Sequence, residues 1–350
     1  MSVILCAMLA AGLAGGEAKV GRFEVRNEVK IKVPEGTKKV RAWIVLPQAD
    51  PAQSVEGLKI ESPVPTRRVH DSEGNELLYV EAADPKAGEM PVVVSFTVKR
   101  SEVLSGPATG KAYAPEDLKG KEKYLQPNAN VVIDDRIRKL SGEITGGEKN
   151  PDAAARKLYD WVLKNVDYWV KDPKNKKASP VGSTAYCLEN KTGNCTDFHS
   201  LWMSLARAAG IPCRIVYGSL FKTELDGQPT DASYHCWVEF LRPGGSWAPL
   251  DVSVADIYQG DFATNPDNEV LVRRTTSDGY KGPEPAKVDY YFGNLDERRV
   301  VWSSGRDLTL EPKQDGGPVN ALPKAYIEVD GKVHPEKTGW ERKMTYQSKS

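Results

Sequence analysis

The sequence predicts an α+β protein, and three observations carry that prediction. Short stretches that alternate apolar and polar residues, separated by turn residues, fill the region from about 20 to 100. An apolar run at helical spacing follows Cys195 and stops at Gly210 and Pro212. A hairpin pattern between Tyr234 and Val252 then returns to the two-residue period of strands. The 350 residues suffice for two domains at ~100–200 residues each.

Taken in order, the chain opens with an apolar run, Met1 to Ala14, followed by small residues. The run is shorter than the ~20 residues needed to span a bilayer, so it is expected to be a signal peptide over residues 1–18, although no Lys or Arg precedes it. The mature protein is then expected to be secreted or periplasmic, without a transmembrane segment. Leu5 stands where a bacterial lipidation site takes a small residue, so Cys6 is not expected to carry an anchor.

Residues 19–105 read as a β-sandwich-like domain. Phe23 to Ile31 alternates in the manner of a half-buried strand, Val40 to Leu46 and Pro91 to Val98 are further strands, and Arg68 to Val80 forms a hairpin around Asp71–Asn75. Residues 106–150, rich in Gly, Lys, Glu and Pro, read as a linker that wraps onto the core. A core over 151–310 begins with a helix capped by Asn150, with Pro151 at its first position and Leu158, Trp161, Val162 and Asn165 on one side. Val288 to Phe292 and Arg299 to Ser303 read as strands. Residues 311–350 form a C-terminal extension with a hairpin turning at Asp330-Gly331.

Composition narrows the function. Lys plus Arg and Asp plus Glu both total 48, so no basic excess points to nucleic acid. Beyond the leader, four cysteines remain: Cys187, Cys195, Cys213 and Cys236. In so long a chain they do not make a disulfide scaffold, although export permits one bridge.

The chemistry-bearing stretch is Gly193-Asn194-Cys195-Thr196-Asp197-Phe198-His199. Asn194 is a good N-cap and Asp197 completes a capping box, which sets Cys195 at the first helical position. Unpaired N–H groups and the positive helix end favour a thiolate there. In the hairpin, Cys236, Val238, Phe240, Ala248, Leu250 and Val252 share even parity and an apolar face. A loop of three or five residues then sets His235 directly opposite Asp251. The same parity turns Cys236 away from that face, making it a poor nucleophile candidate. A metal site built from Cys187, Cys195 and His199 lacks zinc-motif spacing.

Together, Gly193-Asn194-Cys195, Gly210-Ile211-Pro212-Cys213-Arg214, His235-Cys236-Trp237-Val238-Glu239 and Gly245-Ser246-Trp247 leading to Asp251 resemble the transglutaminase-like superfamily. Asp251 to Ala255, Tyr291 to Leu295 and Gly305 to Leu308 resemble segments that follow the core in bacterial members. The resemblance covers about 125 to 310. It implies a papain-like core, with a nucleophile helix packed on an antiparallel sheet, and a catalytic triad of Cys195, His235 and Asp251. It also implies acyl transfer through a thioester on peptide or protein amides, with no metal or organic cofactor. Hydrolysis is favoured slightly over amine transfer. A non-catalytic binding module of the same fold is the alternative. Cys213 and Cys236 stand where many relatives carry alanine, on strands that neighbour each other in this fold, so a disulfide between them is one implied outcome and two buried thiols the other. Tyr168 and Trp169 precede the nucleophile, but no side-chain oxyanion donor is assigned. The oligomeric state is left open.

Overall fold

The structure is a computed structural model that describes residues 17–228, 234–260, 272 and 275–349. The expected leader falls, up to residue 16, outside the described residues. The chain first lays down β1 (Val20–Val33), β2 (Lys39–Val45), β3 (Gln53–Glu61), β4 (Thr66–His70), β5 (Glu76–Ala83) and β6 (Gly88–Ser101). Alternation shapes β1: Phe23, Val25, Asn27, Val29, Ile31 and Val33 are buried, and the alternate residues from Glu24 to Lys32 are half-buried or exposed. A short β7 (Val103–Leu104) leads out of this region.

The core follows, with helices α1 (Pro115–Leu118), α2 (Asp135–Thr145), α3 (Pro151–Asn165), α4 (Thr184–Asn190), α5 (Cys195–Ala208) and α6 (Val252–Gln259). Among them run β8 (Asp167–Tyr168), β9 (Thr192–Gly193), β10 (Cys213–Leu220), β11 (Tyr234–Leu241) and β12 (Trp247–Leu250), then β13 (Asn294–Leu295) and β14 (Arg299–Ser304). The chain ends with β15 (Ala325–Val329), β16 (Lys332–Val333) and β17 (Trp340–Lys349). The central core sheet has the order β12-β11-β10-β14, antiparallel throughout, and α5 packs on it through contacts such as Trp202 on Phe240, ring centroids 5.9 Å apart. This is the expected α+β arrangement, with the helix that begins at Cys195 packed on an antiparallel sheet.

Three expectations are corrected. The C-terminal segment is not an extension. β17 pairs with β1 from Arg22↔Lys349 to Ile31↔Trp340, and β15 pairs with β2, giving two sheets ordered β17-β1-β6-β3 and β16-β15-β2-β5-β4. The reason is burial: Trp340, Met344 and Tyr346 need an apolar surface, and an open β1 would leave a row of unpaired backbone groups. The stretch 106–150 is more than a linker. Asp134 caps α2 by accepting from Ile137 N at 2.8 Å, and Ser141 Oγ on α2 donates to Leu205 O on α5 at 2.8 Å. Residues 285–290 form a short helix where a strand was expected, begun by Pro285. The hairpin at Asp330-Gly331 does form; both residues have positive φ, 50° and 75°, as its tight turn requires.

The sandwich and the core sheet share β14. Val300 and Trp302 point into the sandwich interior, where Trp302 meets Phe96 at 5.7 Å, while Val301 belongs to the core interior. One strand thus carries two hydrophobic faces, and it holds Arg299 at its start.

Candidate active site

Local sequence places Cys195. Asn194 Oδ1 accepts from Thr196 N (2.9 Å) and Asp197 N (3.1 Å), and Asp197 Oδ2 accepts in return from Asn194 N (3.0 Å), closing the expected capping box. Asp197 also accepts from Ser179 N and Ser183 N, tying the preceding loop to the helix start. Gly193 is needed for proximity, because a Cβ there would lie 2.3 Å from Asp197 Cβ. Cys195 therefore sits at the first position of α5, 3 % exposed.

His235 and Asp251 meet, but not as directly opposed strand residues. The observed register pairs Val238 with Leu250 and Leu241 with Trp247, two residues out from the expected one. β12 stops at Leu250, and Asp251 becomes the N-cap of α6, its Oδ1 accepting from Val254 N (3.1 Å) and Ser253 Oγ (2.9 Å). Helix formation at Val252 thus ends the strand early. From the cap, Asp251 Oδ2 lies 2.6 Å from His235 Nε2. The other ring nitrogen is left for the Cys195 thiol, which helps to hold the proton on His235.

Asp251 is fully buried and heavily solvated by protein. Arg299 Nη1 donates to its Oδ2 at 2.7 Å, while the same guanidinium donates to Asp296 through Nε (3.1 Å) and Nη2 (3.0 Å). Burial alone would raise the Asp251 carboxyl, but the charges of His235 and Arg299 overcome it and hold it far below the carboxylate range. For His235, burial works against the cation, yet Asp251 and the Cys195 thiol raise it to about 9. The Cys195 thiol is held well below its ordinary value, first by a hydrogen bond with Cys236, against the cost of burial, and further by His235. The arrangement favours a thiolate beside an imidazolium at neutral pH.

Cys236 is not turned away, contrary to the parity argument. Its Sγ lies 3.5 Å from Thr196 Oγ1 and 3.4 Å from His199 Nδ1, both on α5, so consecutive residues of β11 both face the start of that helix. The apolar face of the hairpin is the face on which α5 packs, which brings Cys236 to the start of that helix. No Cys213–Cys236 disulfide forms: the strands are neighbours as expected, but Cys213 is level with Phe240 and Cys236 with Tyr217, and all four described cysteines are free and buried.

Several site residues have no role assigned from sequence. His199 bridges the Cys236 sulfur and Asp251, its Nε2 3.6 Å from Asp251 Oδ1. Arg299 read only as a strand start. Tyr168 is carried by β8, which pairs in parallel with β9 so that Tyr168 is level with Gly193. Its backbone N–H donates to the buried Asp256 at 2.9 Å, and Asp256 also holds Lys171 at 2.9 Å. The Tyr168 ring packs on Phe198 (5.7 Å), and its hydroxyl lies against the Cys195 backbone N–H. Arg306, within the Gly305–Leu308 segment, donates to Gly182 O (2.9 Å) and Ser200 Oγ (2.6 Å), fastening the loop beside the helix start. A pocket of about 380 Å³ opens next to Cys195, lined by Asn194, Thr196, Tyr234 and Val181 on the core side and by Ala325 and Trp340 of the sandwich.

A thiol at a helix start, an imidazole from the packed sheet and a carboxylate behind it define the class of papain-like thiol folds. Comparison with known proteins is more specific: residues 138–252 match the model of the transglutaminase-like superfamily. It is similar over nearly all its length to a crystal structure of a candidate cysteine protease from Cytophaga hutchinsonii, with a TM-score of 0.56, 16 % identity and coverage of 95 % of this chain and 99 % of that one. The periplasmic domain of TgpA from Pseudomonas aeruginosa overlays more loosely, with a TM-score of 0.33, 15 % identity and coverage of 69 % and 94 %. A Haemophilus influenzae protein of uncharacterised function is 24 % identical over 338 residues, 88 % of this chain and 86 % of that one. Among the described residues no helix is long and apolar enough to cross a membrane.

Proposed function

We propose that this chain is a thiol-dependent acyl-transfer enzyme that acts on peptide or protein amides outside the cytoplasm, with water favoured over an amine as the acceptor. The observation that carries the reading is the 2.6 Å contact of Asp251 Oδ2 on His235 Nε2, which leaves the other nitrogen of this buried imidazole for the Cys195 thiol at the start of α5. Cys195 attacks the amide carbonyl and His235 gives its proton to the leaving amine. Asp251, fixed by Arg299 and by its role as a helix cap, keeps the imidazole oriented. The Cys195 N–H and the Tyr168 hydroxyl are the donors for the oxyanion. The thioester then passes its acyl group to water. The pocket between core and sandwich supports a peptide substrate lying across both. The apolar run at the N-terminus supports export.

The test is the pH dependence of Cys195 alkylation by iodoacetamide in wild type, Cys195→Ala and His235→Ala. Wild type is expected to label well below the ordinary thiol range near pH ~8.5. Labelling should vanish in Cys195→Ala and move to higher pH in His235→Ala. An ordinary titration unchanged by His235→Ala would sink the triad and leave a binding module as the better account. A glutamine-containing peptide incubated with an amine separates the acceptors: a mass gain corresponding to the amine would reverse the preference for water.

A further inference from the structure

Asp251 carries two imidazoles, and acyl transfer uses only one. Its Oδ2 meets His235, which leads to Cys195; its Oδ1 faces His199, whose far nitrogen lies 3.4 Å from Cys236 Sγ. The two thiols share one hydroxyl, Thr196 Oγ1, which is 3.9 Å from Cys195 Sγ and 3.5 Å from Cys236 Sγ. His199 and Cys236 are both wholly buried, so the second arm has no contact with solvent and no evident part in binding an amide. We infer that Cys195 and Cys236 form a hydroperoxide-reactive thiol pair, in which Cys195 is oxidised first and Cys236 closes on it as a disulfide. This rests on the activated Cys195 of the proposed function and adds a second chemistry to the same sulfur.

The steps balance. The Cys195 thiolate attacks one oxygen of the hydroperoxide; an S–O bond forms, the O–O bond breaks, and the departing oxygen takes a proton from the His235 imidazolium. Sulfur loses two electrons and the peroxide gains them, leaving a sulfenic acid. Cys236 then attacks that sulfur. Its proton moves to His199 Nδ1, which can accept it because burial keeps this imidazole neutral at pH 7 despite Asp251. The S–O bond breaks, and the leaving oxygen departs as water with the proton Cys236 gave up. The sulfurs start on either side of the Thr196 hydroxyl and must close to the ~2.05 Å of a disulfide. The other described cysteines offer no such partner. Cys213 Sγ faces Met203 O at 3.8 Å, and burial raises both Cys187 and Cys213.

The experiment uses the full chain, freed of reductant and treated with hydrogen peroxide, followed by iodoacetamide labelling and peptide mapping. In wild type a peptide cross-linked between Cys195 and Cys236 is expected, with labelling of Cys195 lost and then restored by dithiothreitol. In Cys236→Ala the same treatment should drive Cys195 to sulfinic and sulfonic acids, with roughly tenfold less labelling recovered by reductant. Cys236→Ser, closer in size and polarity, should show the same loss of recovered labelling and serves where Cys236→Ala folds poorly. Wild-type protein that labels at low pH before peroxide yet yields sulfinic acid and no cross-link overturns the pair while leaving the triad standing. Wild-type protein whose Cys195 labels as an ordinary thiol overturns both.

Discussion

The sandwich and the core treat charge in opposite ways. Along the sandwich strands, pairs such as Arg22–Glu56 and Lys349–Glu24 lie in solvent, and the interior is mostly apolar; Asn27, Arg100, Glu328 and Arg342 are among the buried exceptions, Arg100 and Glu328 each with an ionic partner. In the core, Asp251, Arg299, Asp256, Lys171 and His199 are all 4 % exposed or less. Burying charge is costly unless each group is paired, so the core gives up stability that the sandwich keeps. The expenditure falls around Cys195, which is where an arrangement selected for reactivity would break the ordinary rules of burial.

That contrast can be broken from the core side first. Asp251→Ala should lower amide turnover by roughly 10⁴-fold, and by stranding Arg299 it should also cost about 3–5 kcal/mol in urea unfolding. Asp251→Asn, which keeps the shape, should show most of the turnover loss with less of the instability. A turnover loss matched by global unfolding in both variants would make Asp251 a structural residue only. Removing residues 340–349 attacks the sandwich instead. Trp340, Met344 and Tyr346 each contribute about 1.5–3 kcal/mol of burial, so hydrogen exchange in β1 and β6 should rise to that of unfolded chain. Retained labelling of Cys195 in that variant would show that the core stands by itself.

Tyr168→Phe sharpens the contrast more finely. It keeps the packing on Phe198 and should lower kcat by about 10²–10³ with little change in KM or stability; an unchanged kcat removes the hydroxyl from the reaction. pH then reports on the buried imidazoles. His199, lowered to about 4 mainly by burial, leaves the unfolded chain binding the proton first, so stability is lost as pH falls from 6.5 towards 4. His235, raised to about 9 by Asp251 against burial, holds its proton longer in the native state, so its contribution is present below 6.5 and lost as pH rises through 9. Urea midpoints should peak near pH 6.5, each limb being worth on the order of 3 kcal/mol, and His199→Gln should flatten the acid limb alone. The smallest effect belongs to the sandwich surface: Lys349→Ala should change stability by less than about 1 kcal/mol, since its partner Glu24 is solvated.

The legible features share one property: their signals are local. Asn194, Asp197 and Gly210 bracket α5 within its own sequence, and the parity of residues 236 to 252 identifies the apolar face of the hairpin. What escaped depends on distant partners or on competition between elements. β17 alternates clearly, but only its pairing with β1 gives the alternation a place. Asp251 read as a strand residue because Val252 continued the parity, whereas Ser253 and Val254 offered it a helix to cap, and the cap prevailed. Parity puts Cys236 on the correct face of the hairpin but gives no sign that this is the face α5 covers. Arg299 had no signal at all, its value lying entirely in two aspartates, one of them 48 residues away.

The pairing of β1 with β17 also dictates an order of assembly. Joining Ile31 to Trp340 closes a loop of some three hundred residues, a step that costs about 5 kcal/mol in chain entropy if nothing between them has folded. Prior folding of the core shortens that loop, because β14 joins β10 and β13 joins β7, bringing the chain back to the sandwich before β15 begins. The thiol-bearing helix is therefore expected to be in place before the sandwich is sealed, and slow refolding of this protein should be traced to its first and last strands.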